Sequence, residues 1–519
     1  MIERVQLGDG LTISRVLTGL WQMADQERDG RQIDLDAAAA AMHPYAEAGL
    51  TTFDMADHYG SSEIVAGRYR RRPGARPVEL FTKWVPSPGR VTATEVRAAV
   101  QRALTRMQGD TIDLLQYHAW NYADPSWIET LFLLQDLKRE GLIRHLGLTN
   151  VDTAHLRMVV ASGIEVVSNQ VSYSLFDQRA SKGQGPYCAT HDVKLLAYGT
   201  LGGGWLSDRW LGQPEPDWER TGTWSQMKYG RFLRTAGGWE ALQRLLRVAR
   251  AVADRHGVSI ATVASRYILE QPGVAGVIIG ARLSERAHID DTVRLFSVAL
   301  SAEDHAAIAA AQATLAAIPG DCGDEYRKPP FLTASGDLSH HLAQLPPPYD
   351  TRAVSPSRTL CLSGTEWEPI AGYSRATRLG RRIAISGTTA TLGSRAIGGD
   401  DPAAQMHCVI DKVEGALQSL GARLEDVVRT RVFVKDVGQW EPIARAHGER
   451  FGHILPANTM VGAPLIGDEY LVEMEVDAEV PGGTSASDGS AAGQSDSRLK
   501  IVRGSSRTTS RIRAQKAGT

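Results

Sequence analysis

Arg15-Val-Leu-Thr-Gly-Leu-Trp-Gln-Met23 reads as a buried strand, and the residues at its end separate two α/β architectures. An open doubly wound sheet that binds a nucleotide carries G-x-G-x-x-G directly after its first strand, because glycine lets the backbone approach a pyrophosphate at a helix N-terminus. Thr18-Gly-Leu-Trp-Gln22 has no such pattern. Outward from this run, short apolar runs recur at Leu50–Ala56, Val78–Val85, Thr111–His118, Ile143–Val151, Val166–Ser172, Val193–Tyr198 and Val274–Gly280. Their nearly continuous apolar character suits parallel strands covered on both faces. Helical periods separate them. Thr92-Ala-Thr-Glu95 is a capping box ahead of Val96, Ala99, Val100, Ala103, Leu104 and Met107 on one face, with Gly109 as the stop. Pro125–Glu140 turns Trp127, Leu131, Leu134 and Leu137 inward, and Ala241–Arg255 is a third such period. Strands and helices alternating in this number predict an α/β fold whose N-terminal part, residues 1–318, is a (β/α)8 TIM barrel. Asp9-Gly10, between Val5-Gln-Leu and Leu11-Thr-Ile, marks a hairpin that plugs one barrel end.

Downstream, the composition changes three times. Residues 319–357 are rich in Pro, Gly, Ser and Asp and read as a linker or extension, with Phe331, Leu332 and Leu342 able to fold back on the barrel. Residues 358–481 form a second unit. Its strands are expected at Arg382–Ser386, Val428–Lys435, Thr459–Leu465 and Leu471–Val480; its helices start at Asp401-Pro402 and near Trp440. This pattern predicts a small α+β domain with its helices on one face. Residues 482–519 collapse to Gly, Ser, Ala and Thr, with only Lys and Arg as charges from Arg498, and are expected to be a disordered basic tail.

Composition narrows the function classes. Of 519 residues 43% are hydrophobic, and the formal net charge is −2, so a large core is affordable and a nucleic-acid-binding face is not expected. No apolar run approaches the ~18 residues of a membrane span, and Met1–Gly10, with Glu3 and Asp9, is no secretory signal. Cys188, Cys322, Cys361 and Cys408 lie far apart, which suits a reducing cytoplasm. His340-His341 is adjacent rather than at ligand spacing, so no metal site is expected.

Catalytic groups of such barrels stand at the C-terminal ends of strands. Those ends carry Asp54, Tyr59, Lys83 and His118. Singly, an aspartate there caps a helix, a tyrosine packs, and a histidine is a satisfied core residue. Together they are a proton-donor set. A phenol with a pKa near ~10 gains acidity beside an ammonium. Lys83 supplies that charge, Asp54 holds it, and a neutral His118 orients a carbonyl oxygen. Such a site protonates a carbonyl oxygen while hydride reaches the carbon.

At these residues the barrel resembles the aldo-keto reductase family. The matching tracts are Phe53-Asp54-Met-Ala-Asp-His-Tyr59-Gly60-x-Ser62-Glu63, Phe81-Thr-Lys83, Ile112-Asp-Leu-Leu-Gln-Tyr-His118 and Asp136–Asn150. The resemblance implies reduction of aldehydes or ketones with NADP(H), and Tyr59 as general acid. It further implies that Thr149, Asn150 and Gln170 hold the nicotinamide amide and that Tyr198 stacks on its ring. Leu201, Gly202 and Gly203 would then follow the pyrophosphate, with Arg282 and Arg286 at the adenosine phosphate. Two guanidinium groups favour a 2′-phosphate. The family's Glu-Asn pair near the adenine reads Ile289-Asp290 here, or Asp290-Asp291 with a shift of one residue. Trp21, Trp84 and Trp120 are expected at the mouth, with Tyr173 nearby, and the tryptophan-rich segment Trp205–Trp239 reads as a lid.

The second unit resembles the Rid family, small trimeric proteins that include enamine/imine deaminases. Its matching tracts are Ala384-Ile-Ser-Gly-Thr388, Gln405, Gly421–Val434, Pro456-Ala457 and Leu471-Val-Glu-Met-Glu475. The arginine that follows Pro-Ala in the active deaminases is Asn458 here, so a carboxylate-bearing imine loses its charged anchor. Tyr373, Asn458 and Glu473 are the expected polar cleft. The resemblance implies a chorismate-mutase-like fold and a homotrimer, and the unit reads as a binding or trimerising module, with imine hydrolysis beside carbonyl reduction as the alternative. The other class of reading is a cofactor-binding redox sensor that signals through the second unit; a sensor needs no proton donor, and the donor set is intact.

Overall fold

The computed structural model describes residues 2–481 apart from 28–29, 219–221, 284, 286–287 and 334–335. The tail expected to be disordered, 482–519, lies outside the described residues, as does Arg286.

The chain opens with the hairpin β1 (Arg4–Gly8) and β2 (Leu11–Ser14), turning at Gly10, whose φ of 67° suits a residue without a Cβ. Among the described residues a closed, all-parallel barrel follows. Its strands are β3 (Val16–Gly19), β4 (Thr52–Asp54), β5 (Glu79–Trp84), β6 (Ile112–Tyr117), β7 (Ile143–Thr149), β8 (Val166–Ser172), β9 (Lys194–Tyr198) and β10 (Val274–Gly280), each beside the next, with β10 returning to β3. The hairpin is the expected plug. Its Leu7, Leu11 and Ile13 join Leu17, Phe81, Leu114, Leu196 and Ala275 in a separate apolar cluster inside the barrel. One end is thereby filled, and chemistry is left to the other.

Helices cover the outside: α1 (Ser62–Arg70), α2 (Ala93–Met107), α3 (Ser126–Arg139), α4 (Thr153–Ala161), α5 (Trp224–Thr235), α6 (Gly238–His256) and α7 (Ile260–Leu269). Thr92 and Glu95 make the reciprocal cap of α2, satisfying two backbone donors that a helix start leaves free. Its left-handed stop is Gln108, one residue before the predicted Gly109. In α6, Trp239, Leu242, Leu245, Leu246, Ala249 and Val252 are buried in one stripe. Each large apolar side chain removed from water there contributes ~1.5–3 kcal/mol.

Residues 319–349 lack long elements, but they are no free spacer. Cys322, Glu325, Tyr326 and Leu332 are buried, and the short turns Asp324–Tyr326 and Ser339–Gln344 lie in this stretch. Strand structure resumes at β11 (Asp350–Ser355), inside the stretch read as linker, and continues through β12 (Arg358–Leu362), β13 (Ala376–Leu379) and β14 (Arg382–Thr389). After the small ribbon β15 (Thr391–Leu392) and β16 (Arg395–Ala396) come α8 (Pro402–Ser419), β17 (Val427–Val434), α9 (Trp440–Phe451), β18 (Ala457–Gly462) and β19 (Val472–Glu479). The sheet order is β11-β12-β13-β14-β19-β17-β18, antiparallel except for β17 beside β18.

Helix α8 starts as predicted, with Asp401 accepting from the amides of Ala403 and Ala404 and Pro402 in its first turn. It is buried almost all round, because one side meets β14 and β19 and the other meets α4 of the barrel. Strand β19 alternates accordingly: Val472, Met474 and Val476 face the helices, while Glu473, Glu475 and Asp477 face away. All four cysteines are buried and unpaired.

Candidate active site

Asp54 ends β4 at the open mouth and gathers three donors. Its Oδ2 accepts from Lys83 Nζ at 2.6 Å; its Oδ1 accepts from Gln116 at 3.1 Å and from Gln170 at 2.8 Å. The Lys83 ammonium also donates to the Met55 carbonyl at 2.7 Å. Burial depresses the Lys83 pKa, and Asp54 works against that fall. Gln116 is a residue the sequence reading missed. A signal existed, since a polar residue inside an apolar strand, two before His118, shares its face.

Tyr59, in the loop from β4 to α1, sits edge-on to Trp21, and Lys83 Nζ lies 4.8 Å from the centre of its ring. The expected acidification is not found. Burial, and then the charge of Asp54, hold the phenol well above its ordinary value. The reason is electrostatic: burial disfavours the phenolate, and the Asp54 carboxylate, 2.6 Å from the Lys83 ammonium, offsets the cation beside the ring. His118 is neutral, since burial and then Arg327 hold it well below the usual imidazole value. Its Nε2 is buried without a hydrogen-bond partner among the described residues, at the wall of the mouth cavity.

That cavity has a volume of about 370 Å³. Asp54, Tyr59, Lys83 and His118 border it together, as do Thr149, Asn150, Gln170, Tyr198, Leu201, Gly203 and Arg282. Gly202 stands behind the wall, where a Cβ would fall 2.5 Å from the Phe176 ring. Gly203, at φ 66°, would put a Cβ 2.7 Å from the Ser225 carbonyl, so a bare backbone is required at this wall. Thr149 donates its hydroxyl to the Gln170 carbonyl at 3.2 Å, and the Gln170 amide is engaged by Asp54 and Gln116. Tyr198 donates to Asn150 Oδ1 at 2.7 Å. Arg282 pairs with Asp25 at 2.5 Å and with Glu285 at 3.1 Å. The glycine wall, the amide-bearing side chains and the partnerless His118 nitrogen fit a dinucleotide ending beside the four reactive residues.

Trp21 and Trp120 border the cavity; Trp84 does not. It is buried on the other side of β5 against Tyr117, because adjacent strand residues point to opposite faces and Lys83 takes the inward one. Tyr173 is buried away from the cavity as well. In the expected lid, Trp205, Trp210, Trp218 and Trp239 pack against one another at tilted or edge-on angles, with centroids 4.5–6.1 Å apart. Helix α5 brings Ser225, Gln226, Lys228 and Tyr229 to the cavity, and Lys228 Nζ donates to Tyr326 Oη at 2.5 Å.

Tyr326 and Asp337 are the larger omission: they come from the supposed linker and border the cavity. The Tyr326 ring stands edge-on to His118 with centroids 5.2 Å apart. Next to it, Arg327 donates to the carbonyls of Asn150 and Ala119. In the second domain the three expected cleft residues have separate surroundings. Tyr373 is partly exposed; Asn458, on the edge strand β18, donates to Thr430 Oγ1 at 2.9 Å; Glu473 is half-buried in β19, its carboxyl raised chiefly by burial. Arg375, unremarked in the sequence, is buried near Tyr373 and Glu473 and donates to the carbonyls of Ser386 and Gly387.

Residues 15–313 match the family model described as Aldo/keto reductase family, more than half of the chain. The chain belongs to the aldo/keto reductase family. Residues 363–480 of this reductase-family chain match the model described as Endoribonuclease L-PSP. Protein tas of Escherichia coli (strain K12) is 28% identical to it over 289 residues, 47% of this chain and 81% of that protein. An NADH-specific methylglyoxal reductase of the same organism is 24% identical over 331 residues, 58% of this chain and 96% of that protein. Rv2704 of Mycobacterium tuberculosis, a member of the YjgF/YER057c/UK114 family, is 43% identical over 24% of this chain and all of its own, with a TM-score of 0.22. The second domain of this aldo/keto reductase is thus a Rid-family domain. Among the described residues no helix is long and apolar enough to cross a membrane.

Proposed function

We propose that the barrel reduces an aldehyde or ketone to an alcohol with NADP(H), Tyr59 being the proton donor. The observation that carries this is the meeting of Asp54, Tyr59, Lys83 and His118 on one cavity whose far wall is bare glycine backbone. A bound nicotinamide supplies hydride to the carbonyl carbon. The neutral His118 fixes the carbonyl oxygen through Nε2, and Tyr59 Oη gives that oxygen its proton. A raised phenol pKa keeps the donor loaded at rest. The proton moves as negative charge develops on the carbonyl oxygen. Lys83, held by Asp54 and the Met55 carbonyl, stabilises the phenolate left behind.

Arg282 is the guanidinium for a 2′-phosphate, exchanging its exposed partner Glu285 for the ligand. The second domain serves as a binding or trimerising module, since Asn458 supplies no charge for a carboxylate. Trp367, Ile370, Leu379, Trp440, Leu455 and Ile466 are exposed on it, apolar side chains available for packing against further copies of this chain in the cytoplasm.

The test is a panel of aldehydes and ketones followed by NADPH absorbance, with NADH alongside. Tyr59→Phe should bind cofactor and lose turnover by ~10²-fold or more; equal turnover removes Tyr59 as the acid. Arg282→Ala should raise the KM for NADPH and leave that for NADH nearly unchanged. Light scattering behind size exclusion should give three chains.

A further inference from the structure

A buried ion network runs from the Rid-family domain into the barrel. His155, in the first turn of α4, donates from Nδ1 to Asp152 at 2.6 Å and from Nε2 to Asp411 of α8 at 3.0 Å. Two carboxylates, one on each ring nitrogen, call for two N–H groups and therefore an imidazolium. Burial opposes that charge, and Asp152 with Asp411 overcome it, lifting the His155 pKa to about 9. On the second-domain side Arg450 holds Asp411 and Glu414, each at 2.6 Å. On the barrel side the His155 ring lies flat on Tyr122, 3.5 Å between centroids, and the Tyr122 hydroxyl accepts from the Asp152 amide at 3.3 Å.

The network ends one residue-pair from the cavity. Asp152 is the N-cap of α4, and Asn150, two residues earlier, borders the cavity. Asn150 has a φ of 57°, in the left-handed region that asparagine enters more readily than other residues bearing a Cβ, and its surroundings hold it there. The enforcement is visible. Its amide donates to the Gln170 carbonyl at 2.9 Å, its own carbonyl accepts from Arg327 at 2.6 Å, and its side chain accepts from Tyr198. Val151, the next residue, is held inside the barrel by Asn169 and Gln184, and Asp152 is the anchor that the other domain reaches, since the His155 that holds it is held in turn by Asp411.

We propose that Asp411 and His155 are positioning residues through which the Rid-family domain sets the Asn150 loop, and with it the barrel's affinity for its dinucleotide. The inference rests on reading the cavity as a dinucleotide site. The two domains are then one working reductase, and whatever stabilises the second domain tightens cofactor binding in the first.

The experiment compares Asp411→Asn and Arg450→Lys with Asp401→Asn, all in the full chain. Asp401 pairs with Arg157 across the same junction, at 2.5 Å, without touching His155. NADPH dissociation constants, kcat at saturating cofactor, and Tm are measured for each. Asp411→Asn should weaken NADPH binding ~5–10-fold, the low end of ordinary coupling between sites, with kcat within twofold of wild type. Arg450→Lys should shift it in the same direction by less, and Asp401→Asn should lower Tm alone. Unchanged affinity in Asp411→Asn and Arg450→Lys, or an equal loss in Asp401→Asn, overturns the proposal while leaving the reductase reading intact. A wild-type chain that binds neither NADPH nor NADH overturns both.

Discussion

Asp54 accepts from an ammonium and two amides, and this crowding explains why the rest of the site is fixed. Removing one amide leaves a buried carboxylate short of a partner, a loss of ~1.5–3 kcal/mol. Gln116→Leu should therefore lower stability by that amount in urea titration, and reduce turnover less than Tyr59→Phe does. His118, neutral because it is buried, should contribute no ionisation to kcat/KM across the range of about pH 5–8 in which ordinary histidines titrate; an acidic limb near 6.5 that disappears in His118→Asn would contradict this. Much of the site was legible in the sequence at this scale, because strand ends are marked by the polar residues that interrupt apolar runs: Asp54, Lys83 and His118 all stand at such interruptions. Trp84 was misplaced for want of the same rule, since Lys83 facing in obliges its neighbour to face out. Tyr326 left no trace, because a residue in an irregular segment has no period from which its direction can be read.

Helices α1 and α2 show what elements demand of small residues. A Cβ on Gly67 would stand 2.2 Å from the Arg106 carbonyl and 2.9 Å from the Met107 carbonyl carbon, so the two helices touch backbone to backbone. Gly67→Ala forces them apart and should cost ~1–3 kcal/mol, visible as a lower Tm with the KM for substrate unchanged. The barrel's elements were legible since parallel strands buried on both faces are apolar throughout, and the second sheet's because its faces alternate. The boundary between them was not. Residues 319–349 are held by specific contacts, such as Glu325 to Arg179 at 2.7 Å, rather than by periodicity. Tyr326→Phe, which removes the hydroxyl Lys228 donates to and leaves the ammonium its Asp337 partner at 3.8 Å, should change the KM for carbonyl substrates severalfold while NADPH binding stays the same.

At the scale of the whole molecule, the junction of barrel and Rid-family domain makes stability depend on pH. His155 has its pKa raised on folding, so its contribution is complete below about pH 6.5 and is lost as pH rises through about 9. Thermal unfolding followed at pH 6, 7.5 and 9.5 should give a Tm that falls across both intervals, and this part of the fall should be absent in His155→Gln.

The placement of the four thiols gives this architecture its own internal reporters. Cys188 lies on the outer layer of the barrel, Cys322 beside its mouth, and Cys361 and Cys408 in the Rid-family domain. Burial pushes the thiols of Cys188, Cys361 and Cys408 up to about 12, so a native chain should leave a colorimetric disulfide reagent colourless. Under mild denaturant each cysteine becomes reactive only when its own neighbourhood opens. Peptide mapping of the labelled sites, taken over time, therefore gives the order in which this protein comes apart.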